Sequence, residues 1–124
     1  MFMLLLTMST LFAKDFEHHS EKHMHKELSH IDFSKAQKKE LKGILKNFRF
    51  DLHEFREYKE EIEEKRKTLF TKDELDLQEL GKLNNQLDVK ARAIESNFLT
   101  KVHAILTPKQ REEFIHYFDD WEVK

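Results

Sequence analysis

The fold is decided by residues 34–62, which read SKAQKKELKGILKNFRFDLHEFREYKEEI. Ser34 and Gln37 form the two ends of a capping box, in which a hydroxyl and an amide three residues apart each satisfy a free backbone N–H. Apolar residues then recur at steps of three, four and seven, as one face of an α-helix requires. They are Leu41, Leu45, Phe48, Leu52, Phe55 and Ile62. The stretch therefore predicts a long amphipathic helix that begins after Ser34.

The same signals recur twice further along the chain. Thr71-Lys72-Asp73-Glu74 predicts the start of a second helix, with Phe70 and Leu75 as a hydrophobic staple around it. Thr107-Pro108-Lys109-Gln110 predicts the start of a third helix, with proline at the favoured first helical position. A second apolar stripe and an aromatic face follow these starts. The stripe is Leu80, Leu83, Leu87, Ala91, Ile94, Phe98 and Ile105, and the face is Phe114, Tyr117, Phe118 and Trp121.

Composition restricts the class of protein. The chain has 124 residues, which suits one domain, and it lacks the alternating pattern of strands. Its formal net charge of -2 argues against a nucleic-acid-binding surface, and the absence of cysteine excludes disulfides and thiolate ligands. No glycine-rich phosphate loop, His-Glu-x-x-His motif or Ser/His/Asp constellation stands out, so an enzyme is not expected. The sequence predicts an all-α, non-enzymatic protein.

Residues 1–13 form an uncharged apolar run that ends at Ala13, just before Lys14. The run is too short to span a bilayer, and its length and its terminal small residue are typical of a signal peptide. We expect export to the periplasm with cleavage near Ala13, and no stable insertion in the membrane. A signal peptide normally has Lys or Arg before its apolar run, and none is present here. The alternative interpretation of residues 1–13 is a buried amphipathic turn.

The predicted helices are long enough to suggest self-association. Two helical segments of about thirty-five residues would each be on the order of 50 Å long. Packed as an antiparallel hairpin, they would leave part of their apolar stripes uncovered. A second copy of the chain, or an elongated concave surface, would cover the remainder. We therefore expect an elongated helical hairpin that forms a homodimer.

A recurring motif carries a family resemblance. Residues 106–111 (LTPKQR) match the LTPxQ(R) form of the LTxxQ motif, which occurs twice in the Spy/CpxP family of periplasmic proteins. Residues 33–37 (FSKAQ) resemble the first copy, with Phe33 for leucine and Ser34 for threonine. Both departures keep an apolar residue before the helix and a hydroxyl at the N-cap. The resemblance lies within a helical domain predicted over residues 31–124. The motif residues are Phe33, Ser34, Gln37, Leu106, Thr107, Pro108 and Gln110.

The resemblance implies a fold and a function. The fold is a four-helix hairpin with short flanking helices, which dimerises into a thin, curved cradle. The function is ATP-independent protection of unfolded or misfolded envelope proteins, and some members act as adaptors on a sensor kinase periplasmic domain or respond to metals. A cationic group near the first motif could offer a positive face to clients or acidic partners, or could be a solvated helix surface. The group is Lys35, Lys38, Lys39, Lys42, Lys46 and Arg49.

Histidine is the second informative feature, because five of the eight lie close together near the N terminus: His18, His19, His23, His25 and His30. On a helix, the spacing of His19 and His23 would place both imidazoles on one face, where they could chelate Zn²⁺, Ni²⁺, Co²⁺ or Cu²⁺. We predict a metal-binding segment over residues 14–30, similar in kind to N-terminal stretches of the metal-sensing branch. The alternative is a polar tail whose histidines only titrate.

Three functions are consistent with these features. The first is a periplasmic chaperone or envelope-stress adaptor, and the second is a periplasmic heavy-metal sensor or buffer that uses the histidine cluster. The third is a cytosolic coiled-coil interaction protein in which residues 1–13 are structural. N-terminal sequencing of the protein from its host separates the third from the others, because a retained Met1 would contradict export.

Overall fold

The structure is a computed structural model that describes residues 28–124. Within this range the chain is all-helical and contains no strand, which confirms the predicted class for this part. Helix α1 spans Lys35–Phe70, α2 spans Leu77–Ile105, α3 spans Pro108–Phe114, and a 3-10 helix, η1, spans Ile115–Trp121. None of these helices has the length and apolarity needed to cross a bilayer. The signal peptide predicted over residues 1–13 lies outside the described residues.

Helices α1 and α2 pack together as an antiparallel hairpin. The rings of Phe48 and Phe98 stack with their centroids 4.3 Å apart. Nearer the connection between the helices, Lys90 Nζ lies 4.7 Å from the centroid of the Tyr58 ring. Residues later in α1 therefore contact residues earlier in α2, so the two helices run antiparallel, which confirms the predicted hairpin.

The hydrophobic core lies between the hairpin and the C-terminal segment. Trp121 is 2% exposed and its ring centroid lies 4.8 Å from that of Phe98. Leu28 and Ile31 are buried on the N-terminal side, so the core begins before the domain start predicted at residue 31. The stripe residues that a single chain buries are Leu41, Leu45, Phe48, Phe55, Ile62, Leu83, Ala91 and Phe98. One chain thus covers much of both apolar stripes, and Leu52, Leu87, Ile94 and Ile105 stay partly buried.

Two of the three predicted capping boxes are confirmed, and they begin α1 and α3. Ser34 has extended backbone angles, its hydroxyl accepts from the Gln37 N–H at 3.1 Å, and Gln37 Oε1 accepts from the Ser34 N–H at 2.9 Å. Thr107 and Gln110 repeat the arrangement at 3.3 and 2.9 Å. Pro108 follows as the first residue of α3, as predicted.

The capping box predicted at Thr71 is wrong. Thr71 ends α1 as its C-cap, with φ -80° and ψ -8°, and its hydroxyl donates to the Thr68 carbonyl at 2.7 Å. Helix α2 begins later, at an N-cap formed by Asp76, whose carboxylate accepts from the Glu79 N–H at 3.1 Å. An N-cap needs an extended backbone so that its side chain can reach forward, and Thr71 is in the helical region instead. The staple predicted between Phe70 and Leu75 has no helix start to support, and both residues are exposed.

Candidate functional site

The two motifs meet at the open end of the hairpin through their glutamines. Gln37 Nε2 donates to Gln110 Oε1 at 2.8 Å, and Gln110 Nε2 donates to Gln37 Oε1 at 3.1 Å. Gln37 Nε2 also donates to the Ile105 carbonyl, and Gln110 Nε2 to the Asp32 carbonyl, both at 2.7 Å. With the two N-cap bonds added, every donor and acceptor position of both amides is used. We call this arrangement the amide clasp.

The bonding of the amide clasp is approximately two-fold symmetric, because each glutamine binds the carbonyl two residues before the other motif's N-cap. This explains why both boxes carry glutamine rather than glutamate. Either residue can accept the bond from the N-cap N–H, but only an amide can also donate two N–H bonds. Sequence reasoning treated the boxes as separate helix starts and missed the clasp. The signal was present as the same amide residue at the same position of both boxes.

The motif side chains point mainly into the protein. Phe33 and Leu106, the apolar residues before the two N-caps, are 9% and 5% exposed, and Gln110 is 9% exposed. The bonds between the two glutamines are part-buried, and partial burial strengthens hydrogen bonds because water competes less for the same groups. The motifs therefore close the open end of the hairpin and hold the backbone at Asp32 and Ile105. They do not themselves form a broad surface for a ligand.

An apolar groove opens beside the second motif, where α2, α3 and η1 meet. Its volume is about 520 Å³, and its lining is largely apolar. The apolar lining residues are Leu99, Val102, Leu106, Phe114, Ile115 and Phe118. Ile115 and Phe118 are 66% and 47% exposed, so the outer wall of the groove presents large apolar side chains to water. Contiguous exposed apolar surface is typical of interaction sites, which makes the groove a candidate binding site.

A cation lies at the edge of the groove. Arg111 lines it, and the Arg111 guanidinium donates to the His103 carbonyl from Nε at 3.3 Å and from Nη2 at 3.1 Å. These bonds hold the side chain across the end of α2, at a carbonyl that also accepts from the Leu106 N–H at 3.4 Å. The groove thus combines an apolar lining with a fixed positive charge. This contact gives Arg111 a structural role at the end of α2.

The histidine cluster lies mostly outside the described residues, which include only His30 of its five members. His30 is exposed, and its ring stacks on Tyr117 with centroids 6.2 Å apart and planes inclined by 10°. Over residues 28–124, no three His, Asp or Glu side chains are grouped so as to hold a metal ion. His18, His19, His23 and His25 fall in residues 1–27, and the metal site stays a prediction.

Comparison of the chain with protein-family models, with curated proteins and with solved structures gave no match in any of the three. The class of protein is therefore defined by its own fold and contacts. They form a helical hairpin whose open end is closed by two capping motifs, with an apolar groove beside the second of them. The resemblance of the motifs to LTxxQ proteins stays a hypothesis about function.

Proposed function

We propose that the protein is a periplasmic, ATP-independent chaperone or envelope-stress adaptor that holds unfolded envelope proteins at its apolar groove. The observation that carries the proposal is the exposure of Ile115 and Phe118 on the wall of this groove. The hydrophobic effect has no directional requirement, so such a surface binds apolar segments of many sequences. Non-specific holding of unfolded chains requires this property.

The size of the groove explains why nucleotide would not be needed for release. A fully buried apolar side chain contributes about 1.5–3 kcal/mol. A groove of about 520 Å³ admits only a few such side chains. Part of their contribution is lost to the ordering of a flexible client. Client affinity would stay modest, and release would follow from ordinary dissociation.

The motif resemblance extends the proposal to location and assembly. The proposal includes export with cleavage near Ala13 and a four-helix cradle made by a homodimer. It also includes an adaptor role toward a sensor kinase periplasmic domain. The support for export is the apolar run of residues 1–13, and the support for the cradle is the presence of two LTxxQ-type motifs. The hairpin itself offers the elongated framework that such a cradle would need.

A holdase assay tests the groove. The double substitution Ile115→Ser and Phe118→Ser is expected to weaken client binding about tenfold, because it removes the exposed apolar wall. Neither side chain is part of the buried core, so the fold should tolerate the change. The measurement is suppression of the aggregation of a chemically unfolded client, monitored by light scattering at several chaperone concentrations.

The matched control is Leu77→Ser with Val89→Ser, which removes two residues that are 72% and 59% exposed and lie away from the groove. This control should protect clients as well as the parent does. An equal loss in both double variants would show that binding is not localised at the groove. A parent protein that suppresses no aggregation would contradict the chaperone proposal.

Metal binding is a second proposal, carried by the clustering of His18, His19, His23, His25 and His30. The double substitution His19→Ala and His23→Ala is expected to weaken Zn²⁺, Ni²⁺ or Cu²⁺ binding most, since two imidazoles on one helical turn chelate together. Imidazole binds metal only when neutral, so affinity should fall as the pH drops through about 6. Calorimetry at about pH 7.5 and about pH 5 measures both effects.

His103→Ala with His116→Ala provides the control for metal binding, because both residues lie in the helical body, away from the cluster. Metal affinity should be unchanged in this variant. Loss of binding here, together with retention in the His19 and His23 variant, would move the site to the helical body.

A further inference from the structure

A stripe of charged residues on the exposed side of α1 changes sign at its midpoint. Its successive members are four, three, four, four, three and four residues apart. Such steps keep all members on one face of a helix, within an arc of about 80°. The members are Lys42, Lys46, Arg49, His53, Glu57, Glu60 and Glu64. We call this set the charge stripe: its members before His53 are cations, and its members after His53 are acids. Lys39 and Lys67 lie on the same face beyond its two ends, and both are cations.

The charge stripe faces solvent. Its members are exposed except Arg49, which is half-buried. The Glu57 and Glu64 side chains are 72% and 74% exposed. Phe50, also 61% exposed, lies beside the midpoint and adds an apolar group to the same side of the helix. The apolar stripe of α1 lies on another side of the helix, against α2 and the C-terminal segment.

We propose that the charge stripe binds the charge stripe of a second copy, with the two α1 helices antiparallel and a two-fold axis near His53. Lys46 and Glu60 stand seven residues from His53, and Lys42 and Glu64 stand eleven. An axis at His53 therefore places each cation opposite the corresponding acid of the other chain, and symmetry repeats every pair. A parallel arrangement would instead oppose like charges, so the pattern selects one orientation.

Two ion pairs inside one chain involve members of the charge stripe. His53 Nε2 lies 3.4 Å from Glu57 Oε1, and Lys67 Nζ lies 3.2 Å from Glu64 Oε1. Both are exposed pairs within one helix, which are weak and screened by salt. They can give way to pairs across an interface. One chain already buries much of its apolar stripes, so it is the charge pattern of this face that favours it as the surface for a partner.

The acidic half of the charge stripe decides what kind of partner fits. An anionic lipid surface would attract Lys42 and Lys46, but Glu60 and Glu64 on the same face would be repelled by it. A second copy satisfies both halves at once. The charge stripe lies on α1 and the apolar groove is lined by residues of α2, α3 and η1, so self-association can fail without any loss of client binding.

Charge reversal in each half of the charge stripe tests the proposal. The variants Lys42→Glu with Lys46→Glu, and Glu60→Lys with Glu64→Lys, should each weaken dimerisation at least about tenfold, because like charges then face one another. An equal mixture of the two variants should dimerise again, since every one of the four positions then meets an opposite charge. Sedimentation velocity measures the species present, and the parent dimer should weaken as salt is raised.

The control is Lys72→Glu with Lys82→Glu, which changes the net charge as Lys42→Glu with Lys46→Glu does, at exposed residues outside the charge stripe. It should dimerise as the parent does, and circular dichroism should show that all variants stay helical. A mixture of the two reversed variants that stays monomeric while the parent dimerises would overturn the proposal. So would a monomeric parent that binds phosphatidylglycerol vesicles through Lys42 and Lys46. Retained client protection in monomeric variants would separate this result from a failure of the chaperone proposal.

Discussion

Replacing Gln110 by glutamate (Gln110→Glu) is expected to lower the free energy of unfolding by about 2–4 kcal/mol, although the side chains have the same shape. The carboxylate can still accept the bond from the Thr107 N–H, so the capping box survives. It has no hydrogen to donate to the Asp32 carbonyl or to Gln37 Oε1, which lie 2.7 and 3.1 Å from Gln110 Nε2. Each of these two acceptors loses the bond from residue 110 and meets a negative charge instead. Urea unfolding followed by circular dichroism measures the difference.

Gln86→Glu is the control for the amide clasp, because it makes the same change on the exposed side of α2. Its effect should stay within about 0.5 kcal/mol. The carboxyl introduced at residue 110 would lie among acceptors, which favour its protonated form and raise its pKa. The variant should therefore regain stability as the pH falls toward about 4. A cost no larger than that of Gln86→Glu would mean that the clasp adds nothing to the caps.

Trp121→Ala is expected to cost about 3–5 kcal/mol, since it removes the largest side chain of the core. The indole ring lies 6.1 Å from the Phe48 ring, 4.8 Å from that of Phe98 and 6.2 Å from that of Phe114, measured between centroids. It thus joins α1, α2 and α3 at one point. Its removal would free η1 from the hairpin. Thermal unfolding should show a lower midpoint, and near-ultraviolet circular dichroism should show loss of the aromatic packing.

Two further variants separate packing from other effects of Trp121. The buried Trp121 Nε1 has no hydrogen-bond partner within residues 28–124, so Trp121→Phe loses no bond and should cost only about 1–2 kcal/mol. Phe118→Ala removes an aromatic ring from the same 3-10 helix, but this ring is 47% exposed and should matter less. Equal costs for Phe118→Ala and Trp121→Ala would contradict the view that Trp121 anchors this segment.

The parts of the fold that depend on neighbouring residues could be predicted from the sequence. Ser34 and Thr107 cap helices because each has a glutamine three residues later, and both starts were predicted correctly. The apolar spacing likewise identified Phe48 and Phe98 as core residues. Thr71 also has an acidic residue three positions later, Glu74, yet it does not form an N-cap. Helix α1 extends to Phe70, and Asp76 supplies the N-cap of α2 instead.

The candidate site depends on contacts between distant residues, which local patterns do not contain. Gln37 and Gln110 were identified as capping residues, but their mutual bonding depends on the hairpin bringing both motifs to one end. The apolar spacing places Ile115 on no apolar face, because this residue lies between the aromatic positions. Its place on the groove depends on the change from α-helix to 3-10 helix after Phe114.

The amide clasp also has a consequence for the order of folding. It joins side chains 73 residues apart, whereas residues 71–76 connect α1 to α2 over a short distance. The entropy lost on closing a loop increases with its length, so contacts near the connection form at lower entropic cost than the clasp does. Folding is therefore expected to start at the connection and to reach the open end last. In the reverse direction, the open end separates first, and the groove would be lost while the two long helices still hold together near their connection.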